Sequence, residues 1–325
     1  MGSDKQQGSG FFRIDIFAAI AISSLIFLTV AFSRVVGSVA IVFVPLPILY
    51  YRAKCGPLEG LVIFGGALLV ACVVAKRFNP VMNPLVLLVP GFLGFGLWEL
   101  LKRGLSIERT VSYAVSMLAG FGILVFLFRY LGTEETPWQL VEGYIAASLQ
   151  EGIQSYTRLG IPAEQVAAIK EKAGQITRSM TYIFPGLVLV GAASTVWINL
   201  LAARMLFQIR DIPFPDFGDL AQWKAPEGLV WILIAAGGSL LLPLEWMKFT
   251  GLNILIVCFF VYLLQGLSII SFFFRRKGVP TGIRAVVYIF IVLQQYLVLP
   301  VILVGLFDLW IDFRKYIKPS KGVLT

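Results

Sequence analysis

The run Phe184-Pro185-Gly186-Leu-Val-Leu-Val-Gly191-Ala-Ala-Ser-Thr195-Val-Trp-Ile-Asn199-Leu-Leu-Ala-Ala-Arg204 is apolar, closed by a base, and long enough to cross a bilayer as one helix. Gly191, Thr195, Asn199 and Ala203 recur every four residues and so share one face. After it comes Arg210-Asp-Ile-Pro-Phe-Pro-Asp-Phe-Gly-Asp-Leu-Ala-Gln-Trp-Lys-Ala-Pro226, a proline-rich aromatic loop, and a new apolar run opens at Leu229. The segment therefore reads as the hinge between two membrane blocks.

Composition agrees. Of 325 residues 58% are hydrophobic and only 14% charged, with a mean hydropathy of +0.85. That leaves too little charged surface to cover a soluble globule. Apolar runs of helical length recur, while the alternation of a transmembrane barrel is absent. The net charge of +9 is spent in short clusters at helix ends: Lys76-Arg77, Lys102-Arg103, Arg275-Arg276-Lys277 and Arg314-Lys315. That placement anchors loops at a lipid surface and argues against nucleic acid as a partner. There is no histidine, which removes Ser-His-Asp catalysis, His-ligated zinc and haem, and histidine relays. Cys55, Cys72 and Cys258 are isolated and read as small core residues. No cofactor, no metal site and no enzymatic activity are expected. The polar first ten residues lead into a full-length span without a cleavage signature, so that span is expected to stay.

Nine candidate spans follow: Phe12 to Phe32, Val36 to Tyr51 (interrupted by Pro45 and Pro47), Leu61 to Ala75, Val81 to Leu101, Thr110 to Tyr130, Ile183 to Met205, Leu229 to Leu244, Asn253 to Phe274 and Arg284 to Trp310. The second is either kinked or partly re-entrant, so the expectation is eight or nine. Between the fifth and sixth spans the chain turns polar. Thr136-Pro137-Trp138-Gln139 supplies an N-cap, a first-turn proline and a capping-box glutamine. The stripes Val141, Ile145, Leu149, Ile153, Tyr156 and Val166, Ile169, Ala173, Ile176, Met180 then predict an amphipathic hairpin outside the bilayer. The fold class is all-α, a polytopic transmembrane helical bundle with this hairpin. Its divisions are 1–131, 132–181 and 182–325, the last carrying a short basic tail. Lys and Arg counts favour a cytoplasmic amino terminus only weakly over nine spans, and eight would reverse the later loops, so sidedness stays open.

Function is sought in polar groups held in hydrocarbon, which need a partner or a wet cavity. They are Asn199, Asn253, Tyr262, Gln265, Gln294, Gln295 and Tyr296, with Gln294 and Gln295 near the middle of the last apolar run. One reading makes them interhelical hydrogen bonds and the other the lining of a polar solute pocket. Glu99, Arg129, Arg204, Glu245 and Asp308 all fall near span ends, which disfavours proton- or ion-coupled transport, and Glu99 with Arg103 forms a simple i, i+4 pair. Phe214, Phe217, Trp223 and Lys224 form either an interfacial loop or a lid or docking edge.

Pro45-Leu-Pro-Ile-Leu-Tyr-Tyr-Arg52 with Gly56 and Gly60, Gly91-Phe-Leu-Gly-Phe-Gly96, Phe184-Pro185-Gly186 with Asn199, Trp223-Lys-Ala-Pro226, Asn253 with Tyr262-Leu-Leu-Gln-Gly266, and Gly305-Leu-Phe-Asp308 with Asp312-Phe-Arg314 resemble the DUF2232, or YybS-like, bacterial integral membrane proteins. The resemblance covers nearly the whole chain and implies a multi-pass protein of the bacterial cytoplasmic (inner) membrane; it carries no activity with it. The first block is also similar in pattern to S components of energy-coupling-factor transporters and to MreD-like proteins. The expectation is a solute-binding or transport unit, S-component-like, taking a small-molecule solute. The alternative is a scaffold that docks a partner membrane protein, or a second copy, through the hairpin and the aromatic loop.

Overall fold

A computed structural model describes residues 4–78, 84–131 and 135–316. The start of the fourth run at Val81, the opening of the connecting segment at Gly132 and the tail from residue 317 on lie outside them. All regular structure among the described residues is helical. The chain divides into two compact units, 1–133 with 191–216, and 134–190 with 217–325.

The first unit opens with α1 (Asp4–Phe32), which begins well before the expected Phe12. Ser33 accepts the Val36 N–H and caps α2 (Arg34–Ala40). A short 3-10 turn, Ile41–Phe43, leads into α3 (Pro45–Cys55), where Pro45 sits at the first helical position and costs no hydrogen bond. The proline-broken second run is therefore a kinked helical path, and Val36–Cys55 is long and apolar enough to cross a membrane. At the joint, the Val42 carbonyl lies three residues before a proline with no N–H to offer it; Asn199 donates there instead, at 2.7 Å. α4 (Pro57–Phe78), a 3-10 turn at Pro84–Leu87, α5 (Leu88–Lys102) and α6 (Ile107–Tyr130) complete the unit with residues 191–209 of a later helix. Phe27, Val44, Ile48, Ala67, Ala71 and Leu87 form its buried core. In lipid, close packing and not water expulsion must hold such helices together, hence the small residues at the contacts. A Cβ on Gly94 would lie 2.6 Å from the Pro45 carbonyl, so α3 and α5 touch only because it is absent. Glu99 pairs with Arg52 and Lys102, not with Arg103 as expected, because α3 brings a guanidinium closer than the next turn does.

The second unit starts with α7 (Pro137–Arg158). Its capping box is formed as expected: Gln139 N–H to Thr136 Oγ1 at 3.3 Å and Thr136 N–H to Gln139 Oε1 at 2.8 Å. After α8 (Ala163–Glu171), α9 (Ala173–Ile209) runs for 37 residues, about 55 Å, with Pro185 inside it. The second hairpin stripe is thus split between a short helix and the first turns of α9, which begins eleven residues earlier than Phe184. Of the two stripes, Val141, Ile153 and Val166 are buried, Ile145, Leu149, Ile169, Ala173 and Ile176 half-buried, and Tyr156 and Met180 at their ends exposed. α10 (Leu229–Ser239), α11 (Glu245–Arg276), α12 (Thr281–Leu293) and α13 (Gln295–Ile311) follow.

Among the described residues, these helices do not confirm a count of eight or nine spans. Five of the described helices are long and apolar enough to cross, and a sixth counts only if α12 and α13, bent by 106°, are taken as one. The seventh apolar run is helical for only its first 11 residues and leaves the helix after Ser239, before Pro243. The ninth is broken at Gln294, whose φ of −98° and ψ of 87° leave the helical region.

Candidate functional site

Within the second unit, the loop after α9 does not leave the bundle. From Asp219 to Ser239 the chain runs back along α11, first as extended backbone and then as α10. Asp219 pairs with Arg275, Leu220 and Trp223 lie at Ser268, Ala225 at Gln265, and Ser239 donates to the Met247 carbonyl at 3.2 Å. An extended segment has no internal partners for its N–H and C=O groups, so side chains must supply them. Gln265 accepts the Ala225 N–H at 3.1 Å, and the Ser268 hydroxyl lies 3.0 Å from both the Leu220 and Trp223 carbonyls. Asp219 also accepts the Ala221 N–H at 3.0 Å and starts a single 3-10 turn, Leu220–Gln222.

The other wall comes from the end of α13. Asp312 adopts the left-handed conformation (φ 48°), turning the chain so that Arg314 points back toward Asp308. Arg314 Nη1 donates to Asp308 Oδ2 at 2.6 Å, Nη2 to the Trp223 carbonyl at 2.9 Å and to Ser268 Oγ at 3.0 Å, and Nε to the Ala221 carbonyl at 3.3 Å. Asp308 accepts in addition the Phe313 N–H at 2.9 Å and the Gln265 amide at 3.2 Å. Its side chain is wholly inaccessible and that of Arg314 is 9% exposed. One carboxylate, one guanidinium, one amide and one hydroxyl thus fasten an unwound segment to two helices. α11 and α13 come close enough for this because a Cβ on Gly266 would lie 2.1 Å from the Val301 carbonyl, and one on Gly305 2.0 Å from that of Tyr262. Beside the cluster the Tyr262 hydroxyl is buried and has no hydrogen-bond partner.

Burial pushes the Asp219 carboxyl up, but hydrogen bonds from Arg275, the Ala221 N–H and Gln222 outweigh it and hold the group below its ordinary value of 3.8. Asp312 is likewise held low: burial opposes, while Lys315 and Lys224 prevail.

Of the seven residues expected to line a pocket, Tyr262 and Gln265 belong to this cluster. Asn253 is about 18 Å away along α11. It completes a different break: Pro185 interrupts α9, and Asn253 accepts the Gly186 N–H at 2.6 Å while donating to the Tyr182 carbonyl at 3.0 Å. Those are the two groups that an uninterrupted helical turn would have joined. Asn199 lies in the first unit and, besides Val42, donates to the Thr195 carbonyl at 2.8 Å; its Oδ1 is buried without a partner. Gln294, Gln295 and Tyr296 are exposed at the bend between α12 and α13, about 20 Å along α13 from Asp308. Of the four loop residues, Trp223 gives its carbonyl to Arg314 and Lys224 pairs with Asp312 at 3.4 Å. Phe214 packs edge-on against Phe207 in the first unit, and Phe217 is half-buried.

Sequence reasoning passed over Asp308, Arg314, Ser268, Asp219 and Arg275. Asp308 was discounted because it stands within a turn of a span end. The signal available was the base six residues after it, across a stretch short enough to fold back.

No solved structure matches the chain. The protein named Uncharacterized protein YybS of Bacillus subtilis (strain 168) is 21% identical over 304 residues, covering 92% of this chain and 96% of that one. The sequence profile described as "Predicted membrane protein (DUF2232)" matches residues 21–309. With its several membrane-length helices and a match over that range, this chain is a multi-pass membrane protein and belongs to the DUF2232 family.

Proposed function

We propose that the protein is a solute-binding or transport unit of the bacterial cytoplasmic membrane, without enzymatic activity, and that its site lies where the 217–228 segment meets α11 and α13. One observation carries the reading: a non-helical segment is laid against α11 and held by Gln265, Ser268, Asp308 and Arg314. Counted from Arg275, Gln265 is about 15 Å along α11, close to half of a hydrocarbon layer of roughly 30 Å. Unwound segments and charged groups at such depth are costly unless they serve a pathway or a pocket, and transporters build their sites from them. The Tyr262 hydroxyl, buried and without a hydrogen-bond partner among the described residues, is the group a polar solute entering there would satisfy. The covered stripes of the helical hairpin count against the scaffold alternative, which keeps only scattered exposed side chains such as Tyr144 and Leu159.

The test is native mass spectrometry of protein extracted from its own membrane. A polar small molecule should travel with the wild type and with Gln294→Leu/Gln295→Leu, and be lost from Ser268→Ala and Gln265→Met, with melting temperature confirming that each variant is folded. A ligand-free wild type, or retention in all variants, overturns the assignment.

A further inference from the structure

The two ends of α11 carry different charge. At its carboxyl-terminal end the described residues Lys224, Arg275, Arg276, Lys277, Arg284, Arg314 and Lys315 stand against Asp219, Glu227, Asp308 and Asp312. Four of those bases are taken up: Arg275 by Asp219, Lys224 and Lys315 by Asp312, and Arg314 by Asp308. Arg276 and Lys277 remain, exposed and in no ion pair among the described residues, and Arg284 one turn into α12 donates only to the Val279 carbonyl, at 2.7 Å.

The opposite end is unlike it. Tyr182 packs edge-on against Phe249 and Gly186 bonds Asn253, the same offset of 67 residues, so α9 and α11 run parallel there. Trp138 also packs edge-on against Phe249. The start of α9 and the α7–α8 hairpin therefore extend past the amino-terminal end of α11. In that region, among the described residues, Glu135, Glu142, Glu151, Glu164, Glu171 and Glu245 slightly outnumber Arg158, Lys170, Lys172, Arg178 and Lys248.

We infer that Arg276, Lys277 and Arg284 form a surface for the anionic phospholipid headgroups of the cytoplasmic leaflet, and that the hairpin Pro137–Glu171 stands on the outer side of the membrane. Lys and Arg rather than net charge set orientation, and seven of them at the carboxyl-terminal end of α11 against five at the other favour the first end as cytoplasmic. Each uncompensated base beside an anionic leaflet adds about 1 kcal/mol of attraction. The inference does not depend on the solute site and gives the second unit the sidedness that counting charges along the sequence left open.

Two measurements test it. With Cys55, Cys72 and Cys258 replaced by alanine, Gln165→Cys should react with a membrane-impermeant maleimide in intact cells, and Thr281→Cys only after permeabilisation. Trypsin on unaltered protein in right-side-out and inverted vesicles gives the same readout, with cleavage near Lys172 in the first and near Lys277 in the second. The reverse pattern overturns the orientation. In nanodiscs, phosphatidylglycerol should be retained over phosphatidylethanolamine, and Arg276→Gln and Lys277→Gln should each weaken retention on the order of fivefold. Equal retention by the variants, or displacement of the lipid by free glycerol phosphate, overturns the lipid surface.

Discussion

Asp308 and Arg314 are an ion pair that water barely reaches, and this fixes how their loss must look. Arg314→Met leaves a carboxylate with no counter-charge, which should cost about 3–5 kcal/mol, whereas Asp308→Leu/Arg314→Met together should recover much of that loss. Thermal melting of the two variants in detergent checks it; equal destabilisation would mean that the carbonyl contacts of Arg314, and not its charge, hold the site. Asp219 makes a second prediction. Its folded value is depressed, so its contribution is complete above the ordinary 3.8 and disappears as pH falls through the lower folded value. Hydrogen exchange in the Asp219–Ala225 stretch should therefore accelerate only below about pH 4, and Asp219→Asn should show the accelerated rate at neutral pH.

Helices are held here by what their contacts lack. At Gly266 and Gly305 an added methyl would meet backbone atoms, which cannot move aside, while Gly237 and Gly238 have nothing within 4 Å. Gly305→Ala is expected to lower the melting temperature by several degrees or to prevent folding, and Gly237→Ala to leave it unchanged; similar losses in both would mean that helix propensity dominates. Asn253→Ala should cost about 1–3 kcal/mol by stranding two backbone groups, and less when Pro185→Leu lets Gly186 reach Tyr182 directly. What was legible at this scale was local. The capping box at Thr136 and Gln139 lies within one turn and is formed as its spacing implies. The breaks at Pro185 and Gln294 were not legible: the first is bridged by a residue 67 positions later, and apolarity records no change of direction at the second. Gln265 was recognised as a polar residue needing partners, but those partners, a loop N–H and a carboxylate near the chain's end, are set by tertiary contacts.

Over the whole second unit, the stretch Asp219–Lys224 reports which end of α11 each segment approaches. Arg275 holds one end of it, and Arg314 and Asp312 hold the other. α12 departs from the Arg276 end, and if the 106° bend makes the pair a re-entrant loop, α13 returns the chain to the side it left. Topology reporters fused after Lys277 and after Tyr316 should accordingly read the same side; opposite readings would make α12 and α13 a single crossing. The number of apolar runs in a sequence need not equal the number of crossings, because a long run can bend sharply, as at Gln294, or stay helical for only 11 residues, as from Leu229. The Asn253 bridge has a consequence for biogenesis. When α9 leaves the ribosome its interrupted turn at Pro185 has no partner, and the residue that completes it is translated only after the next two helical segments. The nascent protein must therefore shelter an unfinished α9, beside the translocon or another chaperone, until α11 is inserted.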